Sequence, residues 1–429
     1  MSRPPLPLLA AVAGLLVGLL LSPVEEASAQ SLDIGVRNTG ISIGHSERWT
    51  GLRINWRDRS LERIDGINLT LWSADTPDGD GTVGGTINGL ALGIAAPQAD
   101  RIRGAGIGIG GVVGESRIDG LAIAGGGVVS GQAVRGLGIA GGAVVSGGDM
   151  KGVALSGLAN VAGSEMRGVH LSGLASIGGT GMRGVGAAGL ATISGGDMRG
   201  AHAGGLALIA EGDMQGVHAS GLAVISGENL RGIGVGGLAT IAGEDVMGMH
   251  ASGLALIAGE DLRGVGVGGL ATIAGGSMQG IQLGGLAVVS GEEMRGISLA
   301  GLGVVSGGGI RGLTGSGVGV VAGGPIQGLT LGGIGVEAPD HSVEWVTLAG
   351  YRIRAGAVRG GSLAGWIDAD RISGLSVAGY HRSEVHSGVA LGVYNHADDL
   401  RGIQIGLLNR VDSNPAPFRI LPLINARFR

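Results

Sequence analysis

The sequence predicts an all-β fold, a parallel β-solenoid built from sixteen-residue coils and closed by irregular ends. Three observations predict it. First, a unit opened by Met or an aliphatic residue recurs every sixteen positions from Ile102 through Met150, Met198 and Leu230 to Ile326, with no gain or loss of a residue. A fixed period in this range is the mark of a stacked array. Second, the turn between units keeps one length from residue 102 to 341, as stacked coils must. Third, the C-terminal copies lose a residue at the Ser-Gly pair. Gly402-Ile403-Gln404-Ile405-Gly406-Leu407-Leu408-Asn409 aligns with Gly168-Val169-His170-Leu171-Ser172-Gly173-Leu174-Ala175-Ser176 only if that pair shrinks to one glycine. A deletion inside one continuous strand would turn every later side chain to the opposite face, whereas a corner between two short strands absorbs it.

The competing architecture is an antiparallel outer-membrane β-barrel of about 24 short strands. The unit Met182–Asp197 can be read as one alternating strand of roughly ten residues, the length a barrel strand needs. Two features oppose it. Leu190 would place an apolar side chain in the lumen, and the chain is only 2% aromatic, which leaves no material for the aromatic girdles of a barrel.

Composition limits the function classes. Glycine supplies 95 of the 429 residues, about three times ordinary usage, yet it follows no three-residue period and collagen is excluded. Apolar residues make up 44% and recur in fixed columns, which is incompatible with a disordered chain. The net charge of −5 gives no footprint for nucleic acid.

The chain divides into four segments. Residues 1–29 read as a secretion signal, with Arg3 as the positive start, Leu6 to Leu21 as the apolar run and Ala27-Ser28-Ala29 as the cleavage site before Gln30. Cysteine is absent, so neither a lipid-anchored cysteine nor a disulfide framework is available, and a bacterial envelope is the expected destination. Residues 30–101 are an N-terminal cap holding Trp49, Trp56, Trp72, the charged run Arg57–Arg63 and degenerate copies at Gly40, Gly66 and Gly89. Residues 102–341 are the regular array. Residues 342–429 are degenerate copies and a second cap, with Gly360, Gly374, Gly388 and Gly402 fourteen residues apart. The last segment, Ile420 to Arg429, alternates and resembles the terminal strand of outer-membrane barrel proteins, which is the strongest support for the barrel.

Within a coil, the opening residue and four aliphatic columns are expected to point inward. In one coil these are Val153, Leu155, Leu158 and Val161, and in another Ile233, Val235, Leu238 and Ile241. The column of Thr240 also accepts Asn, Ser, Leu and Val, and reads as solvated. Leu238→Asp is therefore expected to harm the fold far more than Thr240→Asp.

The wording of the repeat resembles a known family. Gly402-Ile-Gln-Ile-Gly-Leu-Leu-Asn409, Gly388-Val-Ala-Leu-Gly-Val-Tyr-Asn395 and Gly157-Leu-Ala-Asn-Val-Ala-Gly163 look like the units of Gram-negative surface-repeat proteins first noted in Leptospira. Here most Asn and Gln positions of that pattern are replaced by Thr, Leu, Val, Gly or His. The resemblance implies an exported, surface-associated protein and carries no catalytic activity with it.

Candidate chemistry is sparse. His170, His202, His218 and His250 share one variable column, which reads as outward. Only His202 and His218 fall in successive coils. They are the weak candidates for a transition metal, and two ligands do not close a site. Turn acids such as Asp149, Asp197, Asp213, Asp261 and Glu293 precede arginines such as Arg167, Arg199, Arg263 and Arg295. They read as neutralising rows, and the calcium-binding nonapeptide repeat is missing. Gly104 to Gly110 mimics a dinucleotide loop by composition alone, with no long helix after it. No cofactor and no nucleophile triad is expected. The leading expectation is a non-enzymatic exported envelope protein, structural or adhesive; the alternative is an outer-membrane pore or transporter.

Overall fold

The computed structural model describes residues 31–74 and 83–428. The expected secretion signal and its cleavage site lie outside the described residues. The chain divides into two compact units, Met1–Ala188 and Gly189–Arg429. Among the described residues every regular element is a strand.

Each unit is a parallel β-solenoid. In the first, Arg48–Asn55 pairs in parallel with Arg63–Thr70, and Gly51 stands opposite Gly66. The same register runs on through Gly89, Gly104 and Gly120. In the second, Met214–Ser220 pairs with Leu230–Gly236, and Gly216 stands opposite Gly232. Each regular coil there has a long strand such as Leu230–Gly236 and a four-residue strand such as Ala239–Ala242. Each pairs with its counterpart one unit away. Parallel pairing of successive repeats rules out the antiparallel barrel, in which neighbouring strands alternate in direction.

The barrel-like C-terminal segment has a different role. Ile420–Arg427 folds back antiparallel on Gly402–Arg410 and covers the last coil. At the other end, Leu32–Val36 pairs antiparallel with Thr39–Ile43.

The Arg-Gly or Gln-Gly pair that follows each opening residue has a geometric cause. The long strand bends at that glycine, which holds a positive φ in every regular coil, +120° at Gly168 and +116° at Gly264. That region favours glycine. A Cβ on Gly168 would also run into the carbonyl oxygen of Gly152 in the coil before.

The bend decides which side chains point inward, and here the structure corrects the sequence reading. The opening column is inside as expected: Met198, Met214, Leu230, Val246 and Leu262 are buried. The four aliphatic columns are not. Leu158 is exposed and Val153, Leu155 and Val161 are half-exposed, while Leu238, Ile233 and Val235 are exposed and Ile241 is half-exposed. The interior is filled instead by the columns that looked variable or small. Thr192, Leu208, Val224 and Thr240 are fully buried, with Ser194, Ala210, Ser226 and Ala242 beside them. The reason is space. A sixteen-residue coil that bends three times encloses room for the opening residue, at most one further large aliphatic and a few short or polar side chains. Five large aliphatics per coil would overpack it.

Short polar side chains suit this interior because the stacked backbone offers them partners. Thr272 Oγ1 donates to Leu283 O at 2.7 Å and Thr192 Oγ1 to Ala203 O at 2.8 Å, each in the next coil. Serines close the turn from within, as where Ser226 Oγ donates to Asn229 O at 2.9 Å. Each such hydroxyl is buried with its hydrogen bond made, which removes most of the cost of desolvating it.

Two predictions follow from this orientation. Thr240 is 0% exposed and Leu238 is 45% exposed. The earlier ranking therefore reverses: Thr240→Asp should destabilise by several kcal/mol through an unpaired buried carboxylate, and Leu238→Asp by ~1 kcal/mol or less. Thermal melts followed by circular dichroism will rank them, and equal melting temperatures would contradict the assigned faces. Removing residues 230–245, one whole coil, joins chemically equivalent positions and should leave a folded protein with the same strand signature, because stacking is between nearest neighbours.

Candidate interaction surface and polar interior

The exterior is where the chain places its aliphatic residues. In the second unit the column Leu190, Leu206, Leu222, Leu238, Leu254, Leu270, Leu286 and Leu302 is 42–52% exposed throughout. The backbone sets its spacing: Leu270 N donates to Leu254 O at 2.8 Å, and Leu302 N to Leu286 O at 2.8 Å. Val217, Ile233, Met249 and Ile281 form a second exposed row, and Val235, Leu299 and Leu331 belong to a third. These are the residues that sequence reasoning took for core. Contiguous apolar exterior on this scale marks an interaction surface.

Between residues 189 and 335 charge is confined to the strip beside the opening column. Arg199 pairs with Asp197 at 2.8 Å, Arg263 with Asp261 at 2.5 Å, Arg295 with Glu293 at 2.6 Å and Arg311 with Glu293 at 3.0 Å. The hydrogen bond from Arg295 holds the Glu293 carboxyl below its ordinary value. The turn acids also have a backbone task. Ser277 N–H donates to Asp261 Oδ1 at 2.8 Å and Asn229 N–H to Asp213 Oδ1 at 3.2 Å, so each short acid caps the turn of the next coil. The acid row is therefore occupied by arginines and backbone amides.

The histidine column lies inside, not outside. His170 in the first unit, and His202, His218 and His250 in the second, are each less than 5% exposed. Small neighbours make the room. A Cβ on Gly234 would lie 2.5 Å from His250 Nδ1, and one on Gly266 would strike Gln282 Oε1. A large polar side chain thus leans over a glycine one coil earlier. His250 Nε2 reaches Met247 O at 3.0 Å. His202 and His218 have no glycine between them and stack, with centroids 5.8 Å apart and planes 11° from parallel. Burial lowers the His218 pKa to about 4; the Gln215 carbonyl works the other way and His250 adds to the lowering. Burial also takes His381 and His386 to about 4.

The metal candidates can be placed on this geometry. His202 and His218 meet face to face inside the stack. Among the described residues, the group of three possible ligands within mutual reach is His396, Asp398 and Asp412, which the sequence did not single out. His396 Nε2 lies 3.2 Å from Asp412 Oδ2, while Arg410 Nε donates to Asp412 Oδ1 at 2.8 Å. The guanidinium already supplies a positive charge there. Beside it, Trp366, Tyr380 and Tyr394 form a row with centroids 5.1 and 5.3 Å apart, and Arg352 sits over Trp366 at 5.2 Å. Tyr380 and Tyr394 stack, whereas Trp366 meets Tyr380 edge-on and has its face covered by Arg352.

In the first unit the histidine column continues as Arg53, two residues beyond the bend glycine Gly51. Arg53 Nη1 donates to Asp58 Oδ1 at 2.9 Å and to Asn68 Oδ1 at 2.7 Å, and both charged partners are fully buried. Asp58 also accepts from Asn55, Asn68 and Thr70. The charged run around Asp58 looked like a solvated cap. The usable signal was the spacing of Arg53 from Gly51, the same as that of His170 from Gly168.

Comparison with protein-family models, curated proteins and solved structures finds no match to this chain.

The buried histidines set the expected pH response. In the unfolded chain they bind a proton near 6.5, and in the folded protein His218, His381 and His386 do so only near 4. Between those values the unfolded state binds more protons. Stability is fully present above about pH 6.5 and is lost as pH falls towards 4. Melting temperatures between pH 7.5 and 4.5 should fall, and His218→Gln, a residue the same column carries at Gln282, should flatten the slope. A flat wild-type profile would contradict the buried placement.

Proposed function

We propose that the protein is an exported, non-enzymatic component of a bacterial envelope, a surface solenoid with a structural or adhesive role. One observation carries this reading most: the outward aliphatic columns recur from coil to coil, so the surface on offer is extended and repetitive. Enzyme sites gather a few dissimilar polar groups at one place. Here the described acids and arginines pair along a strip, and the histidines are packed as core. The resemblance of the repeats to Gram-negative surface proteins, and the Arg3 to Ala29 leader pattern, support the envelope as location.

Expression in a Gram-negative host, followed by fractionation and N-terminal sequencing, tests the reading. The expected outcome is an envelope-associated protein beginning at Gln30. A cytoplasmic protein that retains Met1 would refute export, and with it the surface role.

A further inference from the structure

In the second unit the exposed leucine of each coil follows directly on a corner glycine, and these glycines line a groove: Gly269, Gly285 and Gly301, with Val267, Leu283 and Leu299 beside them. The groove is open, about 590 Å³ in volume, and crosses four coils. A ridge of Leu270, Leu286 and Leu302 and a furrow of glycine thus run side by side along the stack. Both have the spacing of the coils, about 4.8 Å, because the same backbone ladder sets them. The furrow cannot be filled from within the chain: a Cβ on Gly269 or Gly285 would strike the glycine carbonyl of the coil before.

We propose that this face binds the same face of a second copy of the chain, ridge into furrow, with the two stacks parallel. Symmetry fixes the direction. Two identical faces related by a two-fold axis along the stacking direction, midway between ridge and furrow, bring each ridge onto the partner's furrow at every coil. An axis across the stack brings ridge onto ridge. Closed two-fold pairing is also the commonest symmetry of soluble homo-oligomers.

The size is sufficient. With Val318 and Ile334 the exposed column runs through ten coils, which at about 4.8 Å give a strip of ~48 Å, and a contact width of roughly 11 Å gives on the order of 1,100 Å² buried over both copies. That reaches the ~1,000 Å² at which a specific pairing begins. The charged strip lies off this face with its arginines already paired to acids, so two copies meet without burying unpaired charge.

Lipid is the other occupant to consider, and the chemistry disfavours it. A membrane-lying element carries unpaired basic residues and interfacial aromatics. Between residues 73 and 344 the chain has no Trp, Tyr or Phe, and the arginines named above are neutralised. A shaped furrow in coil register is a feature that a fluid hydrocarbon does not require. The pairing rests on the geometry of the face and not on export, so the two readings fail separately.

The chain has no cysteine, which makes single-cysteine variants clean reporters. Leu222→Cys and Leu302→Cys lie on the ridge five coils apart, and both should cross-link to themselves under mild oxidation of the purified protein. An across-stack axis would let at most one of them do so, and that result would overturn the parallel arrangement. Sedimentation of the wild type at micromolar concentration should show a dimer. Leu254→Glu together with Leu286→Glu, on exposed positions, should weaken it at least tenfold while leaving the circular dichroism spectrum intact. A monomeric wild type overturns the proposal, and a monomer that floats with phosphatidylcholine vesicles assigns the face to lipid instead.

Discussion

The constraint on which the rest depends is the close approach of one coil to the next at the bend glycine. There the carbonyl of one glycine occupies the volume that a side chain on the following one would need. The positive φ turns the long strand through a bend that other residues rarely adopt. Because each bend lies on the one before, every coil within a unit must bend at the same residue. Register is thereby fixed without side-chain matching, and the outer columns inherit their straightness from it. The acid caps of the turns and the serine hydroxyls inside them hold the opposite corner in the same step.

A narrow coil then dictates an unusual division of residues. The interior takes the opening apolar residue, one further residue that ranges from Ser and Thr to Val and Leu, and otherwise mostly small or polar side chains. The Thr192 and Thr272 hydroxyls there are satisfied by backbone carbonyls of the adjacent coil. Large aliphatics, excluded by volume, go outside. The usual association of apolar with inside is a tendency of proteins whose cores have room, and it fails when the enclosed cross-section is this small. Burial inside a unit is therefore modest per coil. The backbone ladder and the stacking of like columns carry a larger share of the cohesion than in a globular core.

The period, the parallel coils and the inward opening column were legible in the sequence, because each is a statement about spacing. So was the corner at the Ser-Gly pair, where one glycine replaces two in the C-terminal copies. The sidedness of the columns was not legible from hydrophobicity. Val153 and Leu155 alternate correctly with Ala154, and alternation alone does not say which set faces in. The deciding evidence was present as size. The column of Ser226 and Ala242 never carries a large residue in the central coils, and His250 has Gly234 before it and Gly266 after it in its column. Those are the marks of a confined space. The buried Arg53–Asp58 pair was hidden for a related reason. Its residues are charged and lie in a charged stretch, and only their offset from Gly51 places them indoors.

An exterior of this kind also bears on what the terminal coil at each end of the chain must do. The faces offer aliphatic rows, and the ends of a parallel stack offer unpaired backbone, so two kinds of association are open to the chain. The ends are managed locally. Each terminal coil is covered by an antiparallel strand, and the C-terminal one carries Pro422, which has no N–H to offer a further strand. End-to-end growth is thereby discouraged at that edge. No comparable device guards the leucine face: it has no charge set among its columns, and its nearest ionic groups are turned to one another along the strip. The proposed side-by-side pairing would use the unguarded face, and its contact would repeat at every coil.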